Sequence, residues 1–176
     1  MSLRTRIVTG AIALVLGSGT LMGFLGDWEG KGQNVVYADL LAQGLPTVCA
    51  GITKHTSPYP VAVGDYWSDE LCAEVEKRVV TKGQLALADC ITNPNIRQGT
   101  FDALYSHGHN VGVPSTCASR ALVLINAGRI AEGCRALAYG PNGRPVWAYV
   151  TGADGTKQFV PGLHKRRIAE MELCLK

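Results

Sequence analysis

The 176-residue chain has a formal net charge of +3, from 17 lysines and arginines and 14 aspartates and glutamates. This mild basicity suits adsorption to an anionic polymer or surface, but it is too weak and too dispersed to indicate a nucleic-acid-binding protein. The basic run Lys165-Arg166-Arg167 is better explained as a packed or solvated helix face. The length allows one domain of ordinary size and a short additional element.

Residues 7–26 form an uncharged, glycine-rich apolar segment. Arginines precede it, and the acidic residues Asp27 and Glu29 follow it, so the N-terminus is expected in the cytoplasm and the rest of the chain outside. Twenty residues can span a bilayer, but only ten of these are Ile, Val, Leu, Met or Phe, and five are glycine. The strongly apolar residues contribute about −3 to −6 kcal/mol in total, so insertion is expected to be marginal.

A cleaved signal peptide is the alternative interpretation of this N-terminus. Val36-Tyr37-Ala38 resembles a cleavage site, but it ends twelve residues beyond the apolar stretch, and cleavage there would remove Glu29. We therefore predict that residues 1–26 are a retained membrane segment and that residues 27–176 form the exported domain.

The first part of the exported region is predicted to contain short extended pieces. Residues 33–37 have the composition of a strand, residues 43–46 that of a turn, and residues 54–67 that of a loop. Ser68 can act as an N-cap, which predicts a helix that runs to about Asp89.

The second part is predicted to be mainly helical. Thr100 can cap a buried helix that runs to about His109. The remaining predicted elements are a helix over residues 115–127, a short helix to about residue 138, a hairpin of residues 146–150 and 158–160, and a final helix from Pro161 to Cys174. The predicted class is α+β and mostly helical, with a small sheet near the N-terminal end.

The chain has six cysteines, and none of them forms a Cys-x-x-Cys pair. This pattern does not favour a zinc site or a redox motif. In an exported protein it favours up to three disulfides, formed in an oxidising compartment. Six cysteines allow fifteen connectivities, and their spacing does not choose among them.

Several short motifs occur in a fixed order. The first group is Glu29-Gly30, Tyr37-x-Asp39 and Thr47-Val48-Cys49-Ala50-Gly51. The second group is Ala103-Leu104-Tyr105, Asn110-Val111-Gly112, and a closing stretch with Gly162-Leu163, Arg166-Arg167, Glu170 and Cys174. Together they resemble the phage-type lysozymes, glycoside hydrolase family 24, over residues 29–176. The spacing is one residue longer than usual for that family between Glu29 and Asp39 and two residues longer between Asp39 and Thr47, and Leu41-Ala42-Gln43-Gly44 can hold the extra residues.

The resemblance implies a lysozyme-like fold, with a small N-terminal sheet lobe and a helical lobe, that acts as a monomer without metal or cofactor. It implies hydrolysis of the β-1,4 linkage between N-acetylmuramic acid and N-acetylglucosamine in peptidoglycan. That reaction needs an acid for the leaving oxygen and a carboxylate that directs water or stabilises the oxocarbenium-like state. Glu29 would be the acid and Asp39 the carboxylate, Thr47 would position the water, and Asn110 would line the cleft beside the sugar.

The same resemblance implies one disulfide. The helices that carry Cys134 and Cys174 are neighbours in this fold, so these two cysteines are expected to pair. For the other four cysteines we expect Cys49–Cys72 and Cys90–Cys117, a pairing that neither the resemblance nor the spacing determines.

The N-terminal arrangement is similar to that of the signal-anchor-release endolysins of lambdoid phages. This implies export through the host Sec translocon and an inactive state that is tethered in the host inner membrane and faces the periplasm. Release into the soluble periplasm would follow the action of a phage holin or pinholin and lead to host cell lysis.

Simpler explanations exist for each of these residues. Taken singly, Glu29 is an interfacial acid, Asp39 a turn residue and Thr47 a strand residue. The alternative function is a non-catalytic, membrane-tethered protein on a lysozyme fold that binds peptidoglycan or acts as an inhibitor. A zinc amidase using His107, His109 and a cysteine is a third, but histidines two residues apart on a helix point to different sides. On the last helix, the expected role of Arg166, Arg167 and Glu170 is a structural salt-bridge set.

Overall fold

A computed structural model describes residues 6–9, 12–29, 32–40, 43–152 and 154–176. The described strands are β1 (Arg6–Thr9), β2 (Ile12–Val15), β3 (Gln33–Asp39), β4 (Leu45–Cys49), β5 (Ile52–Thr53), β6 (Tyr149–Thr151) and β7 (Lys157–Phe159). The described helices are α1 (Gly19–Glu29), α2 (Asp69–Ala88), α3 (Gln98–Val111), α4 (Val113–Cys117), α5 (Arg120–Asn126), α6 (Ile130–Arg135) and α7 (Pro161–Leu175). The predicted α+β, mostly helical class is confirmed.

The chain divides into two compact units. We call Met22–Lys82 the sheet unit, and Met1–Leu21 together with Gly83–Lys176 the helical unit. Helices α1 and α2 each begin in one unit and end in the other.

The sheet unit is built on an antiparallel sheet with strand order β3-β4-β5. Val36, Val48 and Ile52 turn inward from the three strands and are buried with Trp67 and Val75. Apolar burial on one face is what holds such a small sheet together, because its backbone hydrogen bonds alone leave it marginal. The predicted strand at residues 33–37 is confirmed and extends to Asp39.

Helix α2 begins where the sequence predicted. The Ser68 hydroxyl accepts a hydrogen bond of 3.3 Å from the Leu71 backbone N–H and so caps the first turn. Asp69, in that turn, also accepts a hydrogen bond of 2.7 Å from the Asn34 side-chain amide, which joins β3 to the start of the helix. The helix ends at Ala88, one residue before the predicted end.

Helix α3 is the centre of the helical unit. Nine consecutive residues, 100–108, are buried, so the helix is enclosed on every side, and it packs mainly against α7. The prediction that Thr100 caps this helix is wrong, because the helix already begins at Gln98. Thr100 instead donates a hydrogen bond of 3.1 Å to the Cys174 carbonyl, at the end of α7.

The prediction of one helix over residues 115–127 is also wrong. The structure has α4 and α5 there, separated at Ala118 and Ser119. Pro114 occupies the first turn of α4, and the Ser119 hydroxyl accepts a hydrogen bond of 3.2 Å from the Leu122 N–H at the start of α5. Pro114 and the capping Ser119 are five residues apart, and such a pair favours two short helices over one long one. The predicted short helix is present as α6 and ends at Arg135, before the predicted residue 138. The predicted hairpin is present as β6 and β7, with strands at Tyr149–Thr151 and Lys157–Phe159 instead of 146–150 and 158–160. The closing helix α7 begins at Pro161, as predicted.

The predicted membrane segment, residues 7–26, contributes to β1, β2 and α1 in the described part of the chain. Leu14, Leu16 and Leu21 from this segment are buried, with at most 5% of their surface exposed. Among the residues described, no helix combines the length and the apolar character needed to cross a membrane.

Three disulfides are present, and they join the expected pairs: Cys49–Cys72, Cys90–Cys117 and Cys134–Cys174. Each disulfide lies within one unit. In the sheet unit a disulfide joins β4 to α2, and in the helical unit another joins α6 to α7. Loops of this length stabilise a folded protein by about 3–4 kcal/mol per bridge in the chain-entropy model.

Candidate active site

Asp39 and Thr47 lie on the two strands of one antiparallel hairpin. Asp39 pairs with Leu45, and Tyr37 pairs with Thr47. Residues two apart on a strand share a face, and paired residues share it as well, so Asp39 and Thr47 lie on the same face of the hairpin. Diagonal neighbours of this kind are about 7–8 Å apart. The strand pairing therefore brings together two of the three predicted catalytic residues.

The longer spacing between Asp39 and Thr47 is taken up at the hairpin turn. The Gly44 N–H donates a hydrogen bond of 2.7 Å to the Asp39 carbonyl, which closes the turn. Gln43 and Gly44 have φ angles of 58° and 79°, in the left-handed region that tight turns use. Two of the four residues predicted to hold the extra length, Gln43 and Gly44, thus lie in this turn, while residues 41–42 lie outside the described part. Of the predicted turn at 43–46, the second half is wrong, because β4 already begins at Leu45.

Thr47 is held firmly in the sheet unit. Only 4% of its surface is exposed, and its hydroxyl donates a hydrogen bond of 3.0 Å to the Leu45 carbonyl. A hydroxyl that donates its hydrogen in this way keeps lone pairs that can accept a hydrogen bond from water. Next to it, Val48 is fully buried in the core of the sheet unit.

The end of β4 is fixed by close backbone packing as well as by a disulfide. Cys49 is bonded to Cys72 of α2 and has a φ of 54°. A Cβ atom on Gly32 would overlap the Cys49 carbonyl group, so only glycine fits at that position. The Ala50 N–H then donates a hydrogen bond of 3.1 Å to Glu76 of α2. These contacts set the position of the strand that carries Thr47.

Glu29 is the last residue of α1, and its side chain lies outside the described part of the structure. The helix that carries it begins at Gly19, directly after Ser18, whose hydroxyl accepts a hydrogen bond of 3.0 Å from the Leu21 N–H. Ser18 is thus the N-cap of α1. Sequence inspection missed this cap because Ser18 lies inside the predicted membrane segment.

Asn110 lies at the exposed end of α3 in the helical unit. Its side-chain oxygen accepts a hydrogen bond of 2.9 Å from the Arg167 guanidinium. This contact gives Asn110 a structural role that the sequence did not reveal. Its contact with a sugar stays a prediction.

The closing helix contributes a buried ion cluster to the helical unit. Glu170 is fully buried and lies 3.2 Å from Arg166 Nε and 3.1 Å from Arg167 Nε. The Ser106 hydroxyl of α3 donates a further hydrogen bond of 2.8 Å to Glu170. The predicted salt-bridge set is confirmed. In the basic run at 165–167, Arg166 and Arg167 are packed in the helical unit and Lys165 is exposed.

His107 is a buried packing residue of α3. Its Nδ1 lies 2.8 Å from the Thr116 hydroxyl, and its ring packs edge-on against Trp147 at 5.0 Å. Burial, with a smaller contribution from Arg167 and Arg166, lowers the pKa of His107 to about 3. In the described part of the chain, no three His, Cys, Asp or Glu side chains are arranged to hold a metal ion.

We expect acid to destabilise the protein partly through His107. The unfolded imidazole takes up a proton below pH 6.5 or so, whereas the buried one resists protonation down to about 3. Stability from the neutral ring is therefore complete above the unfolded pKa and falls by up to about 1.4 kcal/mol per pH unit below it. Chemical unfolding between about pH 7 and pH 4 should show a shallower decline in His107→Gln than in the wild type. Parallel curves for the two proteins would contradict this role, and the exposed His55→Gln serves as the matched control.

Comparison with known proteins gives a consistent result. The family described as phage lysozyme matches residues 26–170. The chain is 33% identical over 145 residues to a SAR-endolysin of Pseudomonas phage phiKMV, an alignment that covers 82% of this chain and 79% of that protein. The range matched by the family spans the positions of Glu29, Asp39 and Thr47.

Solved structures of the same kind share the fold. An endolysin from Escherichia coli O157:H7 phage FAHEc1 superposes with a TM-score of 0.76 at 26% identity, covering 95% of this chain and 96% of that one. A lysozyme of phage P22 superposes with a TM-score of 0.71 at 23% identity, covering 90% of this chain and 97% of that one. With this fold and a family match over most of its length, the chain belongs to the phage lysozyme family.

Proposed function

We propose that this protein is a phage endolysin, a muramidase that hydrolyses the β-1,4 linkage between N-acetylmuramic acid and N-acetylglucosamine in peptidoglycan. Membership of the phage lysozyme family supports the reaction class. The observation that carries the proposal is the shared face of Asp39 and Thr47 on the β3–β4 hairpin, downstream of Glu29 in the family's order.

The proposed mechanism divides the reaction among these three residues. Glu29 donates its proton to the glycosidic oxygen as the bond to the anomeric carbon breaks, and the sugar passes through an oxocarbenium-like state. The ionised Asp39 stabilises that state or accepts the proton of the attacking water. Thr47, with its own hydrogen directed to Leu45, accepts a hydrogen bond from this water and orients it.

Purified protein and purified peptidoglycan provide the direct test. We expect the release of soluble fragments with a new N-acetylmuramic acid reducing end, without added metal or cofactor. The alternative, a non-catalytic wall-binding protein, is motivated by the longer turn between Asp39 and Thr47. It predicts binding to sedimented walls with no new reducing ends, and that result would exclude the muramidase.

We further propose that residues 7–26 hold the newly exported enzyme inactive in the host inner membrane, facing the periplasm. The charge asymmetry and the marginal apolarity of the segment support this, as does similarity to a SAR-endolysin. Export through the Sec translocon and release into the periplasm after a holin or pinholin acts complete the scheme.

A more apolar segment should keep the enzyme in the membrane. Gly19, Gly23 and Gly26 lie on α1, and a Cβ at any of them meets no described atom within 4 Å, so the folded form accepts larger side chains there. Three Leu residues add about −1 to −2 kcal/mol of insertion free energy, which shifts the soluble-to-membrane ratio by about five- to thirtyfold. We expect delayed lysis and a protein that stays in the membrane fraction.

Glutamine at the same three positions is the matched control. It also favours a helix over glycine but opposes insertion, so it should give earlier release. Lysis on the wild-type schedule in the leucine variant would contradict the tether.

A further inference from the structure

Two glutamines of the helical unit bind the backbone just before α1. The Val15 N–H donates a hydrogen bond of 2.8 Å to Gln98 Oε1, and Gln98 Nε2 donates one of 3.0 Å back to the Val15 carbonyl. The Gly17 N–H donates a hydrogen bond of 2.7 Å to Gln84 Oε1. The Gln98 amide thus reproduces the paired donor and acceptor of a neighbouring strand.

An aspartate holds the residue that caps α1. The Ser18 hydroxyl donates a hydrogen bond of 2.6 Å to Asp102 Oδ2 while it accepts the Leu21 N–H. Gln98 Nε2 also donates to Asp102 Oδ1 at 2.8 Å, so Gln98 and Asp102 form one connected group. The start of the helix that carries Glu29 is therefore fixed through Asp102.

These three polar side chains have an unusual setting. Gln84 and Asp102 are fully buried, and Leu14 and Leu16 of the segment are buried as well. Among the described residues, Gln84 Nε2 has no hydrogen-bond partner, so the bond from Gly17 is what holds this amide. A contact that never opens is normally lined by apolar groups, because burying an amide without full pairing costs free energy. Polar side chains such as these can be hydrated when the segment leaves, so they are compatible with a contact that forms and dissociates.

The membrane and the helical unit compete for the same backbone groups. In a bilayer the segment must satisfy all its N–H and C=O groups internally, as a helix. The N–H groups of Val15 and Gly17 are then unavailable to Gln98 and Gln84. The two states exclude each other.

We propose that Gln84, Gln98 and Asp102 form a hydrogen-bonding receptor for residues 15–18 that favours the released state over the membrane-inserted state. This inference rests on the proposed tether. Docking of Val15 and Gly17 replaces the backbone bonds lost on leaving the membrane. The bond from Ser18 to Asp102 holds the hydroxyl that caps α1. All three are positioning residues.

Gln98→Glu is the sharpest test, because it is isosteric and adds no apolar surface. The carboxylate keeps an acceptor for the Val15 N–H but places a second acceptor against the Val15 carbonyl and against Asp102. One lost hydrogen bond changes an equilibrium roughly fivefold, and the repulsion adds to it, so we expect a drop of at least about tenfold in the soluble-to-membrane ratio. Gln158→Glu, the same change at an exposed position on β7, is the matched control and should release like the wild type.

The measurement uses the full-length chain in cells, fractionated before and after a protonophore dissipates the membrane potential. Folding of the exported domain is checked with a thiol-alkylating reagent, which cannot react with the six cysteines once the three disulfides have formed. Gln84→Met is a second variant, expected to release less than the wild type by roughly fivefold because one bond is lost.

The outcomes separate the two proposals. Wild-type release of both folded variants would overturn the receptor while leaving the tether intact. Wild-type protein that never enters the membrane fraction would overturn the tether and the receptor together. Impaired release of both variants, with the control unaffected, supports the receptor even if the released wild type fails to cleave peptidoglycan.

Discussion

Glu29→Gln is expected to lower the release of reducing ends from peptidoglycan by about 10²- to 10⁴-fold. Glutamine has nearly the same size as glutamate but has no acidic proton to give to the glycosidic oxygen. Because Glu29 is the last residue of α1, the substitution leaves the helical hydrogen bonds of that helix in place. Product formation is measured with purified wall and released protein at matched concentrations.

Two controls make the Glu29→Gln result specific. Glu172→Gln is the same chemical change on an exposed position of α7 and should keep wild-type activity. Binding of Glu29→Gln to sedimented peptidoglycan should be unchanged, since the lost interaction acts in the transition state. Activity within a few-fold of the wild type would remove Glu29 from the mechanism and return it to the role of an interfacial acid.

Glu170→Ala is expected to destabilise the protein by about 3–5 kcal/mol. The substitution removes the anion that lies against both Arg166 and Arg167, and it leaves two cations buried in the helical unit. It also removes the acceptor for the Ser106 hydroxyl of α3. Chemical unfolding with the disulfides intact measures the change in unfolding free energy.

Glu132→Ala is the matched control for the buried cluster. Glu132 also forms an i,i+3 pair with an arginine, Arg129, but both side chains are about half exposed. Solvent screening limits such a pair to roughly 0–1 kcal/mol. Equal losses of stability in the two variants would show that burial is not what makes the Glu170 cluster important.

Much of the secondary structure could be predicted because its signals are local. Ser68 before two acidic residues predicted the start of α2, and Pro161 predicted the start of α7. The errors occurred where a local signal had a tertiary use. Thr100 looked like a cap, but its hydroxyl bonds α7, and the run at 115–127 looked continuous because the capping role of Ser119 was not recognised.

Only part of the candidate site could be predicted, because part of it depends on strand pairing. The order of Glu29, Asp39 and Thr47 is a property of the chain, whereas their relation depends on strand register. Because the extra residues lie in a turn, the pairing of Asp39 with Leu45 and of Thr47 with Tyr37 is kept, and with it the common face. A slip of one residue would have moved one of them to the opposite face.

The sequence by itself determined the family, the class of the fold, the order of the proposed catalytic residues and the weakness of the apolar segment, since all of these follow from residue type and local spacing. Only the tertiary structure decided what the buried polar residues do. Gln84, Gln98 and Asp102 have no shared motif, and they become a group because α2 and α3 bring them to Val15, Gly17 and Ser18, residues up to 84 positions away. Hydrogen bonds between residues so distant in the chain depend on how helices pack, which no local pattern encodes.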